Sequence, residues 1–222
     1  MDRRIFLSGT AAVIAVAAGG YFYLRRNRGA GADLIGVNAG EAENAGASDI
    51  PDMTLGAADA PVTLIEYASY TCPHCANFHK TIFPQLKADY IDTGKVRFIH
   101  REVFFDRFGL WAAIVARCGG EDRYFGIADI LYEEQSAWLG GDTPAGVADN
   151  LRLIGKRAGL TGETLDACLG DADRAEAMVA NYRRQADKDG INSTPSFVID
   201  GRKYSNMSYD ELRGILDGKL GN

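Results

Sequence analysis

The sequence predicts an α/β protein in which a βαβ unit and a ββα unit are separated by roughly 85 residues of helical spacing. Three observations carry that reading. The β-branched run Val62-Thr63-Leu64-Ile65-Glu66-Tyr67 passes directly into helical spacing, and past Thr93-Gly94 the residues 95–101 alternate apolar and polar. From Phe104 to Gly190 the apolar residues recur at helical intervals instead. Strand signals return only at Ser196-Phe197-Val198-Ile199, followed by the turn pair Asp200-Gly201 and by Arg202-Lys203-Tyr204.

Residues 5–24 hold no charge and follow Arg3-Arg4, a string that resembles a twin-arginine export signal. Twenty uncharged residues also reach across a bilayer, so a retained anchor is the alternative to a cleaved signal. Residues 1–32 are therefore assigned to a signal or anchor and 33–50, rich in Gly, Ala, Asn and Glu, to a flexible linker. A short first strand is expected at Met53-Thr54-Leu55, the central strand at 62–67, one helix at 76–90, and a second strand at 95–101 that closes a parallel βαβ unit. Helices follow at 109–118 and 123–138. A third opens at Thr143-Pro144, where an N-cap precedes a proline at the first helical position. A fourth begins after Thr161, and residues 174–188 end at Gly190. Ser208 with Glu211 forms a capping box for the last helix. The run at 197–199 needs a partner strand, expected to be parallel. One split domain, 51–103 with 190–222, and a helical insertion, 104–189, account for the order.

The formal charge of −6 and the absence of a basic stripe argue against a nucleic-acid partner. The chemistry concentrates at Cys72-Pro73-His74-Cys75, a Cys-X-X-Cys pair at a strand-to-helix junction. At a helix N-terminus the unpaired N–H groups and the dipole favour a thiolate, so Cys72 reads as the nucleophile and Cys75, one turn in, as the resolving thiol. His74 adds hydrogen bonding or charge to the sulfur. A permanent disulfide at this exposed junction is the bland alternative. A zinc site using Cys72, Cys75 and His79 is another, but no second ligand pair exists in the sequence. Glu66, flanked by Ile65 and Tyr67, is expected to be buried, where its carboxyl can exchange the proton of Cys75; an edge-facing Glu is the alternative. His79 and His100 carry no assigned role. Tyr70, Phe104 and Phe105 either line an apolar groove or, as the favoured reading, pack in the core. Cys118 and Cys168 are either free buried thiols or a structural disulfide. A disulfide would close a loop of about fifty residues and stabilise by roughly 4 kcal/mol in the chain-entropy model.

With these residues in place, the chain resembles the DsbA-like thiol:disulfide oxidoreductases, which have a thioredoxin-like fold carrying a helical insertion. Cys72-Pro73-His74-Cys75, Glu66 on the preceding strand, and Thr194-Pro195 before a Phe-Val-Ile strand carry the resemblance, which covers the chain from about Leu55 onward. The resemblance implies a cis Thr194-Pro195 bond facing the cysteines and binding the substrate chain. It also implies a strongly acidic Cys72, and some relatives carry a second disulfide in the helical region. It implies no cofactor beyond the Cys72–Cys75 disulfide, no metal, folding exported proteins as substrates, and a membrane quinone-linked oxidase as the regenerating partner of a monomer in the periplasm or cell envelope. Two other functions fit the same residues. One is an envelope reductase or isomerase kept reduced by a membrane electron carrier; the other is a redox-inactive, chaperone-like binding module.

Overall fold

A computed structural model describes residues 50–141 and 143–221; the expected signal and nearly all of the linker lie outside them. None of the described helices is long and apolar enough to cross a membrane. The strands are β1 (Met53–Leu55), β2 (Val62–Ala68), β3 (Val96–Glu102), β4 (Ser196–Ile199) and β5 (Arg202–Ser205), ordered β1-β3-β2-β4-β5 in one sheet. β2 and β3 pair in parallel, with Glu66 beside His100, as the βαβ unit requires.

Side chains alternate along each strand, so Leu64 and Glu66 of β2 share a face with Phe98, His100 and Glu102 of β3. That face is covered by α1 (Pro73–Thr81), α2 (Phe83–Leu86) and the C-terminal α9 (Tyr209–Leu220). Phe78, Phe83, Phe98 and Phe197 meet there, with ring centroids 4.9 Å apart for both Phe78–Phe197 and Phe83–Phe98. Each such buried ring contributes about 1.5–3 kcal/mol. The opposite face, with Ile65, Tyr67 and Val198, packs against Tyr182 of α8 (Ala172–Asp189) and Ile191.

Between β3 and β4 run α3 (Arg107–Cys118), α4 (Glu121–Glu133), α5 (Gln135–Leu139), α6 (Pro144–Arg157), α7 (Gly162–Gly170) and α8. The expected caps are in place. Thr143, Thr161 and Ser208 each accept a bond from a first-turn N–H, and Gly190 ends α8 in the left-handed region.

Four expectations change. The helix expected at 76–90 starts at Pro73 and breaks after Thr81, because Pro84 has no N–H to donate and its ring crowds the carbonyl one turn back. A π-helical turn, Lys87–Ile91, completes the segment. The stretch 123–138 is two helices meeting at Glu134, with the Trp138 indole donating 2.8 Å to the Leu131 carbonyl freed at the break. β4 runs antiparallel to β2 rather than parallel, with Ser196 beside Tyr67. α8 returns the chain to the C-terminal end of β2, so β4 begins there, next to the cysteines. Finally, Phe105 is 59% exposed rather than in the core, while Tyr70 is fully buried and Phe104 packs edge-on against Tyr182.

Candidate active site

Cys72 is the N-cap residue of α1 and partly exposed; Cys75 is fully buried, and both are free thiols. Pro73 sits at the first helical position, where its missing N–H costs nothing. The Cys72 thiol is held down to about 5. The Cys75 thiol donating to its sulfur is the largest cause; Thr194 and the backbone N–H groups of Cys75 and His74 add to it, against the opposing effect of burial. Burial pushes the Cys75 thiol far up, and its bond to Cys72 and the charge of Glu66 push the same way. The hydrogen bonding expected of His74 comes from its backbone N–H, and the residue is exposed.

Thr194-Pro195 is cis, and the Thr194 carbonyl oxygen lies 3.6 Å from Cys72 Sγ across 122 residues of sequence. Glu66 is fully buried beneath α1, and its Oε2 is 2.9 Å from His79 Nε2. His79 lies one helical turn after Cys75, and its ring stacks on Tyr132 with centroids 4.0 Å apart.

Beyond His79 lies a buried polar network that the sequence reading did not assign. Arg117 donates two bonds of 2.7 Å to Glu102 and one of 2.9 Å to the Pro51 carbonyl. Glu102 Oε1 also accepts 2.7 Å from the Tyr124 hydroxyl. Having donated its one hydrogen, Tyr124 accepts from Tyr70, 3.1 Å away, and from His100 Nδ1, 2.7 Å away. His100 is therefore a neutral ring protonated at Nδ1, and its Nε2 accepts 3.0 Å from Tyr132. Burial lowers His100 to about 4, in keeping with a neutral ring. Glu66, His79 and His100 bring three possible metal-ligand atoms within 4.8 Å of one another. Both His100 nitrogens are already bonded to tyrosines, however, and Glu66 Oε2 to His79, so a metal would have to break those bonds first.

The helical segment reaches into the cysteine turn at two points. Asp106 caps α3 with one oxygen, accepting from the N–H groups of Phe108 and Gly109, and accepts 2.8 Å from the Thr71 hydroxyl with the other. A Cβ at Gly109 would meet Ser69 Oγ at 3.3 Å, a tight contact that Ser69 would have to yield to by a few tenths of an ångström. Gln135, buried at the start of α5, donates 2.8 Å to the Tyr70 carbonyl and 2.9 Å to that of Cys72. The sequence signal for Asp106 was an Asp just ahead of an apolar helix; Gln135 carried none. We expect Gln135→Ala to lose about 1–3 kcal/mol, because two carbonyls lose their buried donor. Urea unfolding checks this, and an unchanged midpoint would mean the amide does not hold the turn.

Cys118 and Cys168 form a disulfide joining the end of α3 to α7.

Residues 48–218 match the family model described as Thioredoxin. The chain belongs to the thioredoxin family. Within the family its relatives are DsbA-like. The crystal structure of Wolbachia pipientis alpha-DsbA1 superposes with a TM-score of 0.70 at 28% identity, covering 78% of this chain and 92% of that one. A Rickettsia bellii protein, provisionally named a protein-disulfide oxidoreductase, is 36% identical over 170 residues, 76% of this chain and 64% of that protein. Disulfide bond formation protein D of Bacillus subtilis is 29% identical over 175 residues, 75% of this chain and 76% of that protein. The chain thus spans under two thirds of the length of its Rickettsia relative.

Proposed function

We propose that this DsbA-like chain is an envelope protein-disulfide oxidoreductase that donates its Cys72–Cys75 disulfide to exported proteins. The observation that carries the reading is the opposition of the two thiols: a partly exposed Cys72 held at about 5 and a buried Cys75 pushed far up. A substrate thiolate attacks Cys72 Sγ, the Cys72–Cys75 bond breaks, and Cys75 leaves and takes up a proton. The substrate's second thiol then attacks the mixed disulfide, and Cys72 leaves as a thiolate. An acidic Cys72 stabilises the reduced form and so makes the disulfide oxidising. Thr194 and Pro195 present an extended carbonyl beside the sulfur for the substrate chain, Glu66 exchanges the proton of Cys75, and Cys118–Cys168 staples the helical segment 104–189.

The twin-arginine-like segment supports export, and a membrane quinone-linked oxidase would return the pair to the disulfide. Alkylation trapping in cells tests the direction of electron flow: a pair found mainly oxidised is the expected result. A pair found mainly reduced would replace the oxidase by the reductase or isomerase reading. Absence of any oxidative refolding activity would leave the chaperone-like reading.

A further inference from the structure

Cys75 has no exposure, and neither has Glu66, so a proton moving between them does not reach water by that step alone. The buried rings of Tyr132, His100 and Tyr124 offer no outlet: their bonds run among themselves and to Glu102, and among the described residues none joins them to Glu66. The bond that Glu66 does make is to His79. Its Nε2 bonds Glu66, and its Nδ1, like Glu66 Oε1, has no hydrogen-bond partner among the described residues. His79, its Nδ1 buried, is also one of the residues lining a cavity of about 390 Å³ whose walls include Lys80, Lys87, Asp129 and Glu133.

We infer that His79 is a proton relay, joining the buried Glu66–Cys75 pair to this cavity. The inference rests on the exchange reading above. When the pair is oxidised, Cys72 is joined to a partner sulfur. Cys75 S–H gives its proton to the Glu66 carboxylate, and its sulfur attacks Cys72 Sγ. The bond to the partner breaks, the Cys72–Cys75 bond forms, and the electron pair leaves on the partner's sulfur. The His79 ring, protonated on both nitrogens beside the carboxylate, keeps its Nε2–H on Glu66 and releases its Nδ1 proton toward the cavity, so one proton leaves for each one that Glu66 takes up. The substrate-oxidising direction runs the same path inward. The titratable groups against His79 are Glu66 of β2, His100 of β3 and Tyr132 of α4, and the cavity it lines adds Asp129 and Glu133 of α4, Lys87 of the π-helical turn and Lys80 on its own helix. Burial raises the Asp129 carboxyl above the usual range, which suits a group that trades protons with water nearer neutral pH.

His79 touches no reacting atom, so it acts through Glu66 as a positioning residue. The reduced full chain reacts with dithiobis(nitrobenzoate) in two phases. The first nitrothiobenzoate is released by attack of Cys72, the second when Cys75 resolves the mixed disulfide. His79→Gln keeps an amide to bond Glu66 but cannot pass a proton. Its first phase is expected at the wild-type rate and its second slowed about tenfold or more, the scale of a lost acid–base group. His79→Gly opens space beside the cavity, and added imidazole is expected to restore its second phase. A wild-type second phase in His79→Gln, or a slowing in His79→Gly that imidazole does not relieve, would overturn the relay. Absence of the first phase in the wild-type chain would overturn the exchange reading instead.

Discussion

Replacement of Cys72 by serine is expected to abolish thiol–disulfide exchange and leave the fold intact. A serine hydroxyl stays protonated throughout the working range, so attack on a disulfide falls to the uncatalysed rate. The side chain lies at the helix N-cap and is only partly buried, and serine is a favoured N-cap residue, so the fold should persist, less the stabilisation that the Cys72 thiolate gives the reduced protein at neutral pH. Cys75→Ser is expected to differ in kind. Its Cys72 still attacks, but mixed disulfides accumulate, visible on non-reducing gels. In the wild type, alkylation of Cys72 should rise with pH through about 5 and level off below neutrality. A midpoint near 8.5, the ordinary thiol value, would remove the argument that this site is an oxidant.

The lowered Cys72 thiol also sets a sign. Its folded pKa is depressed, so its contribution to the stability of the reduced protein is full above the unfolded value of about 8.5. That contribution declines as the pH falls and is lost below about 5. The oxidised protein has no such group. The reduced form should therefore be the more stable near neutrality, and the gap should narrow in acid.

Much of this site was legible because strands have a period of two and helices one of 3.6. Once Leu64 is placed inward, Glu66 must follow. Val96 and Phe98 likewise predict that His100 and Glu102 continue the buried face of β3. His79 was equally readable, one helical turn after Cys75 on the same face as Phe78, yet alternation and helical spacing mark only where a side chain points. They do not say that Arg117 and Tyr124 arrive from other helices to bond Glu102, or that Tyr132 arrives to bond His100 and stack on His79. Pro84 signalled the break in the first helix directly. Gln135 was out of reach for a different reason: its position depends on the helix ending at Glu134, which rests on a tertiary bond from Trp138 rather than on a local breaker. The antiparallel direction of β4 was hidden because a βαβ beginning makes a parallel partner the simpler expectation. It is nonetheless what sets Thr194 beside Cys72.

Arg117→Ala is expected to destabilise the fold by about 3–5 kcal/mol, the cost of leaving one member of a buried ion pair without its partner. The side chains of Arg117 and Glu102 are only 3% and 6% exposed, so water cannot replace the two lost bonds. Burial alone would push the Glu102 carboxyl up; the charge and hydrogen bonds of Arg117, with further help from His100 and Tyr124, hold it below the usual range. Its contribution to stability is therefore present at neutral pH and lost as the pH falls through its depressed folded value. His100 adds to the acid sensitivity. It stays neutral in the fold down to about 4 while the unfolded ring takes up a proton near 6.5, so stability falls across that window. Without Arg117, Glu102 loses what held it down and takes up a proton at higher pH, which relieves its buried charge. The penalty of the substitution should then be largest near neutrality and shrink in acid. Urea unfolding of both proteins at pH values spanning that range checks it; a penalty independent of pH would show that Arg117 stabilises through packing alone. Arg117→Lys should recover only part of the loss, since one ammonium cannot make the paired bonds to Glu102 and also reach the Pro51 carbonyl.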